Sequence, residues 1–115
     1  MIRKVLRALR LALPLCLAYG QVQATPLTVS LVCQVFYQPA RSIWVRKVQL
    51  ETLEDRIQDL QVDGVKPYGF TAYPEGLVLT AIDNERIAID LKQASWSSDF
   101  RDHASGQGQC EVVRP

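Results

Sequence analysis

Apolar and polar residues alternate along most of the chain after residue 26, in short runs separated by turn residues. In the first run, residues 27–37, Cys33 and Val35 fall on one face and Gln34 falls on the other. Alternation with a period of two predicts strands that have one buried and one exposed face. Such strands are typical of antiparallel sheets, which commonly bury only one face.

Turn-forming residues divide this pattern into six to eight short strands. Asp63-Gly64 and Asp83-Asn84 are typical of two-residue hairpin turns between alternating runs. The remaining polar segment, with two glycines, is predicted to be a loop over residues 97–108. We predict strands over residues 27–37, 42–52, 56–62, 65–73, 77–82, 86–91, 93–96 and 109–113.

Residues 51–60 allow a second interpretation, because Leu53, Ile57 and Leu60 recur at helical spacing. We favour a strand over 56–62 because a hairpin turn follows it at once. The predicted fold class is all-β: a small antiparallel meander of about six to eight strands, closed or nearly closed as a barrel. A two-sheet sandwich is the alternative architecture.

Residues 1–24 have the order of a secretory signal peptide. Basic residues open the segment, an apolar run follows over 11–18, and Ala24 marks the expected cleavage site. The apolar run is too short for a permanent bilayer-spanning helix, so we expect no permanent membrane anchor. The predicted organisation is therefore a signal peptide over 1–24 and a single β domain over 25–115, located in the periplasm or secreted.

Export leaves two of the three cysteines, Cys33 and Cys110, because Cys16 lies in the signal segment. Exported cysteines meet an oxidising compartment, so we expect these two to form one disulfide. It would tie the first strand to the last. A metal site or a catalytic thiol is the alternative, but neither cysteine has a second Cys or His at ligand spacing.

Charge argues against nucleic-acid binding. Four of the 13 Lys and Arg residues lie in the signal segment, whereas all 12 Asp and Glu residues follow it, so the remaining domain has a net charge of −3. We interpret Arg41, Arg46 and Lys47, which lie beside Trp44, as a solvated strand face. We interpret Glu85 as an ordinary acidic residue of a turn.

The segment over residues 95–108 is the most unusual in composition, since it combines the only histidine with aromatic and charged residues. Polar loops that carry aromatic residues on a rigid β scaffold are common binding surfaces, although the same residues can simply fill the barrel end. We select five candidate binding residues from it: Trp96, Asp99, Phe100, Arg101 and His103.

No catalytic pattern stands out in this segment. Its serines do not sit in a nucleophile elbow. Asp99, Asp102 and His103 are a weak metal set, because no second cluster completes four ligands. Gly106 and Gly108 lack the helix of a phosphate loop, and we interpret them as part of a turn before the last strand. We therefore predict no enzyme activity, no cofactor and no metal site.

Val32-Cys33, the run of short hairpins and the near-terminal Gly108-Gln109-Cys110 resemble the small periplasmic β-barrel inhibitors of C-type lysozyme. The resemblance covers the layout of nearly the whole mature chain, and Ser105-Gly106 is the nearest match to the family's Ser-Gly-rich loop. It implies a protein partner in the cell envelope, and an inhibitor or immunity protein for a secreted or periplasmic hydrolase. The alternatives are a structural or accessory periplasmic protein and a metal-binding module.

Overall fold

The computed structural model describes residues 25–101 and 103–113, and every regular element in them is a β-strand. This confirms the all-β fold class. The strand predicted over 56–62 is also confirmed, and no helix forms at 51–60. The eight strands are β1 Leu27–Gln38, β2 Ser42–Leu53, β3 Arg56–Val62, β4 Phe70–Ala72, β5 Leu77–Ile82, β6 Glu85–Asp90, β7 Ser95–Asp99 and β8 Ser105–Val113.

The strands form one antiparallel sheet in the order β3-β2-β1-β8-β7-β6-β5-β4. Consecutive strands therefore pair with each other, except β3 and β4, and β8 returns to pair with β1. The result is the predicted meander, curled into a nearly closed barrel whose single gap lies between β3 and β4.

The inward faces of both halves of this sheet meet in one core, which explains why the sheet curls. Leu60 on β3 and Val78 on β5 lie near opposite edges of the sheet, yet both are buried in the same cluster. The alternation seen in the sequence is the cause, because every second residue of each strand points inward. The buried apolar side chains are Leu31, Cys33, Val35, Tyr37, Val48, Leu50, Leu60, Val62, Val78, Ile87, Ile89, Trp96 and Cys110.

Cys33 and Cys110 form the expected disulfide, and they lie directly opposite each other in the β1–β8 ladder. Their Cα atoms are 3.9 Å apart. This ladder is where the N-terminal strands β1–β3 join the C-terminal strands β4–β8. The disulfide therefore holds the two halves of the sheet together at the middle of their shared pair.

Two details differ from the sequence expectations. The strand predicted over 65–73 is only the three-residue β4, because the chain leaves the sheet after the Asp63-Gly64 turn. The loop predicted over 97–108 is mostly strand: β7 continues to Asp99 and β8 begins at Ser105. Polar composition gave a misleading signal here, because the serines, glutamines and glycines of β7 and β8 alternate between the two faces of the sheet.

The predicted signal peptide at residues 1–24 lies outside the described residues. Within the described part of the chain, no helix is long and apolar enough to cross a membrane.

Removing the disulfide should cost much of the stability. Its cysteines are 77 positions apart. Without the cross-link the unfolded chain gains conformational entropy, which lowers the free energy of unfolding by about 4 kcal/mol for a loop of that length. We expect a Cys33→Ala/Cys110→Ala variant to unfold in urea at a clearly lower midpoint than the oxidised wild type. Reduced wild-type protein is the matched control. If neither the variant nor the reduced wild type unfolded at a lower midpoint than the oxidised wild type, the disulfide would not stabilise the fold.

Candidate functional site

Four connections gather at one end of the barrel, which we call the loop end. They are residues 39–41, 63–69, 83–84 and 100–104, which join β1 to β2, β3 to β4, β5 to β6, and β7 to β8. The opposite end carries residues 54–55, 73–76 and 91–94. The loop end is the only end at which polar side chains enter the interior of the described barrel.

The carboxylate of Glu85 is the centre of that interior polar cluster. Glu85 is only 4 % exposed although it is the first residue of β6, because its side chain points into the barrel. One carboxylate oxygen accepts hydrogen bonds from the hydroxyls of Tyr37 (2.6 Å) and Ser98 (2.7 Å). The other accepts one from Nη1 of Arg46 at 2.9 Å. A carboxylate in an apolar interior needs such partners, because burying it alone is very costly.

Arg46 lies between two carboxylates. Its Nε donates to Asp63 at 2.6 Å, and its Nη1 donates to both Glu85 and the hydroxyl of Tyr37. Burial alone would lower the pKa of Arg46, but the hydrogen bonds to Glu85 and Asp63 outweigh it and raise that pKa. The cation therefore persists in the interior. It also lies over the ring of Trp96, 4.9 Å from the centroid, within cation–π range.

Ser98 and Trp96 complete the cluster from β7. The indole Nε1 of Trp96 donates to the Ser98 hydroxyl at 3.0 Å, and Ser98 in turn donates to Glu85. Among the described residues, no buried side-chain nitrogen or oxygen lacks a hydrogen-bond partner. Fully satisfied polar networks of this kind hold their members in one geometry. The loop end is thus built on a rigid base.

Two glycines of β8 allow close packing, and one of them, Gly106, makes room for this base. A Cβ atom at Gly106 would lie 2.7 Å from both the Ser98 hydroxyl and the Tyr37 ring. A Cβ at Gly108 would lie 2.2 Å from the backbone oxygen of Gln34. The turn predicted around these glycines is therefore wrong: they lie within a strand and allow close packing. Ser105-Gly106, the fragment that resembles an inhibitor loop, likewise belongs to β8, with Gly106 buried.

Above the cluster lies a cleft of about 490 Å³. Trp44 forms one wall and is 62 % exposed, and Phe100 forms another while packing against Tyr37 at 6.1 Å between ring centroids. Asp63 and Arg46 provide polar groups in the same cleft. The arrangement combines an exposed indole with a positioned charged pair, which suits recognition of another molecule.

The five residues selected from the sequence occupy different environments. Trp96 is 1 % exposed, so its side chain is part of the core and does not reach the surface. Phe100 is half-buried in the cleft. Arg101 and His103 are exposed on the β7–β8 connection. Asp99 accepts hydrogen bonds from Arg86, and these, with one from the Arg101 backbone, lower the pKa of Asp99.

Sequence reasoning missed six members of the site, which are Tyr37, Trp44, Arg46, Asp63, Glu85 and Ser98. The interpretation of Arg46 as part of a solvated face is wrong, because its side chain is only 15 % exposed. The alternation along β2 could have indicated this, because Arg46 and the buried Val48 are two positions apart and therefore point to the same face of the sheet. Glu85 gave no comparable signal, because an acidic residue beside a turn is ordinary.

No group of three or more His, Cys, Asp or Glu side chains in residues 25–101 and 103–113 is placed to hold a metal ion. Asp102, which belongs to the weak metal set considered above, lies outside the described residues. Comparison with known proteins gives no match to a family model, a curated protein or a solved structure.

Removing the Glu85 carboxylate should destabilise the fold strongly. A Glu85→Leu variant leaves Arg46 in the interior with only Asp63 as a counter-charge, and breaking a buried pair costs about 3 kcal/mol. Replacing both members, as Arg46→Met/Glu85→Leu, removes the orphaned charge as well. We expect the double variant to be more stable than Glu85→Leu in urea denaturation. A double variant that is no more stable than Glu85→Leu would contradict the pairing.

Alkaline pH should weaken the same cluster. Burial, together with the hydrogen bond to Glu85, raises the pKa of Tyr37 from 10.0 to about 12. The unfolded chain therefore releases this proton first, and the free energy of unfolding should fall as the pH rises from 10 to 12. A Tyr37→Phe variant should lack this part of the pH dependence in thermal melts. Parallel curves for the two proteins across that range would show that Tyr37 ionises normally.

Proposed function

We propose that the protein is a binding module of the bacterial cell envelope, and that it docks on a protein partner through its loop end. The partner expected from the inhibitor-like layout is a secreted or periplasmic hydrolase, which the module would inhibit. The observation that carries the proposal is the exposed Trp44 at the rim of a cleft whose floor is the rigid Arg46–Glu85 cluster.

An exposed indole on a β-strand supports docking for an energetic reason. Trp, Tyr and Arg side chains contribute most of the affinity in protein interfaces, often about 2 kcal/mol or more each when truncated to alanine. Trp44 and Arg101 are residues of these types, and both are exposed at the loop end. The aromatic wall formed by Phe100 adds apolar contact area beside Trp44.

Rigidity is the second support. A partner that binds a preformed surface orders few groups, so less affinity is lost to conformational entropy. Trp44 lies on β2, two residues before Arg46. The guanidinium of Arg46 is held in place by the carboxylates of Asp63 and Glu85. The connection over 100–104 is short and is closed by backbone hydrogen bonds between Phe100 and Ala104 and between His103 and Phe100.

The envelope location is supported by the disulfide and by the order of residues 1–24. Disulfides persist in oxidising compartments and are rare in the cytosol. A domain of about 90 residues has a modest hydrophobic core, so a disulfide adds a sizeable share of its stability. An exported protein can form and keep that disulfide.

Truncating Trp44 should weaken partner recovery. We expect tagged Trp44→Ala protein to recover a specific envelope protein from periplasmic extract at least about 10-fold less well than wild type, because hot-spot truncations cost about 2 kcal/mol or more and about 1.4 kcal/mol is a tenfold change in affinity. Glu75→Ala, an exposed change in the turn at the opposite end, is the matched control. Equal recovery by all three proteins would rule out the loop end as the docking surface.

The class of partner has its own test. The purified domain, assayed against a panel of lysozymes and secreted proteases, should inhibit at least one, and Trp44→Ala should reduce that inhibition. A domain that binds its partner through Trp44 but inhibits no hydrolase would be an accessory envelope protein instead.

A further inference from the structure

The first part of β2 has a neighbouring strand on one side only. All of β2 from Ser42 pairs with β1, but β3 begins to pair only at Val48. Residues 43–46 therefore form an open sheet edge within the described part of the chain, beside the gap of the barrel. Ile43 and Val45 are 68 % and 53 % exposed there.

The hydrogen-bonding direction along this edge follows from Lys47. Its carbonyl accepts a bond from the Asp63 backbone at 2.7 Å, and its N–H donates to the Asp63 side chain at 2.9 Å. Lys47 thus points its backbone groups away from β1. In an antiparallel ladder this direction alternates residue by residue, so Ile43 and Val45 also point theirs away from β1. Neither makes a backbone bond on that side to the described residues.

Asp63-Gly64 explains why the edge is open. Both residues have positive φ, 52° and 81°, and the tight turn they form ends β3 opposite Lys47. The line that β3 would have followed past Ile43 and Val45 is left without a strand. That line borders the cleft, because Trp44 lies between the two open residues and its side chain points to the cleft.

We propose that an extended segment of the partner adds to this edge as an extra strand, with its backbone bonded to Ile43 and Val45. The inference rests on the proposed docking at the loop end and names how the partner is recognised. Strand addition takes affinity from backbone hydrogen bonds and specificity from alternate side chains. Here, one set of alternate side chains would face the cleft at Trp44, and the other would lie against Ile43 and Val45.

Charge identifies the segment further. Arg41 lies exposed at one end of the open stretch and forms no ion pair with a described residue, whereas at the other end Asp63 already occupies the position opposite Lys47. Opposite charges across paired strands are favourable, and like charges are unfavourable. The segment that fits is therefore apolar at two alternate positions and acidic at the end that lies opposite Arg41, and its other end stops before Asp63.

Asp63 disfavours a second copy of the chain as the occupant. Two copies paired through this edge and centred on Trp44 would place Arg41 of each copy at the position opposite Lys47 that Asp63 of the other copy already fills. A short partner segment that ends before Asp63 has no such conflict.

Two synthetic peptides test this directly on the folded, disulfide-bonded protein: acetyl-Thr-Val-Thr-Val-Thr-Glu-amide, whose Glu lies opposite Arg41 in an antiparallel pairing, and its counterpart with Lys in place of that Glu. We expect the acidic peptide to bind at least about 10-fold more tightly than the basic one, which corresponds to about one favourable charge pair exchanged for a repulsive one. On binding, the amide protons of Ile43 and Val45 should exchange with solvent more slowly. Trp44, already bonded to β1, should show little change.

Val45→Pro removes one donor from the open side without removing a bond to β1, which is where a sheet tolerates proline. It should abolish peptide binding, and Val45→Thr, which keeps the N–H, should not. If Val45→Pro fails to fold, the exchange rates in the wild-type protein remain decisive. Absence of binding at about 1 mM, equal binding of both peptides, or unchanged exchange at Ile43 and Val45 would each overturn strand addition.

The failure of this inference is distinct from the failure of the proposed function. Peptides that do not bind, together with a Trp44→Ala variant that still loses its partner, would leave docking at the loop end intact and remove strand addition. Peptides that bind, together with partner recovery that does not depend on Trp44, would keep the edge as a peptide site and remove the proposed docking surface.

Discussion

The ion pair between Arg46 and Glu85 crosses the interior of the barrel and joins its two halves. Arg46 lies on β2, in the half formed by β1–β3, and Glu85 lies on β6, in the half formed by β4–β8. The sheet itself joins these halves only through the β1–β8 ladder, because β3 and β4 do not pair. The buried pair therefore provides, at the loop end, a cross-connection that backbone hydrogen bonds do not supply.

The disulfide and the ion pair hold the same two halves at different places. Cys33 is the β1 partner of Arg46 on β2, so the staple and the cation lie side by side on neighbouring strands. The disulfide acts mainly by restricting the unfolded chain. The ion pair acts in the folded state, where it fixes the positions of Tyr37, Ser98 and Trp96. The loop end can therefore be rigid although the sheet has a gap between β3 and β4.

Much of the fold followed from the sequence because it depends on alternation, which is a local property. Residues 56–62 show this well, since the hairpin dipeptide Asp63-Gly64 decided between helix and strand. The pairing of Cys33 with Cys110 followed from the expectation of export, because two cysteines in an oxidising compartment are expected to form a disulfide. The extents of β7 and β8 did not follow from the sequence. The polar residues of these strands face solvent or a polar interior, and their glycines leave room for neighbouring groups.

The site was less predictable, because it depends on which residues face each other across the barrel. Arg46 and Glu85 are 39 positions apart, and only the closure of the sheet brings them together. Trp44 and Trp96 illustrate the consequence: composition singled out Trp96, which is buried, whereas Trp44 is the indole that reaches the surface. Strand parity identifies Arg46 as inward-facing, but it does not identify the carboxylate that it meets.

The most direct test of this account is hydrogen exchange at the Nε1 protons of the two tryptophans, measured by NMR. The Trp96 proton is bonded to Ser98 in the buried cluster, and the Trp44 proton is bonded to exposed Ser42. We expect Trp96 to exchange only when the barrel opens, orders of magnitude more slowly than Trp44. Comparable exchange at both indoles would contradict a buried, rigid polar cluster beneath the loop end.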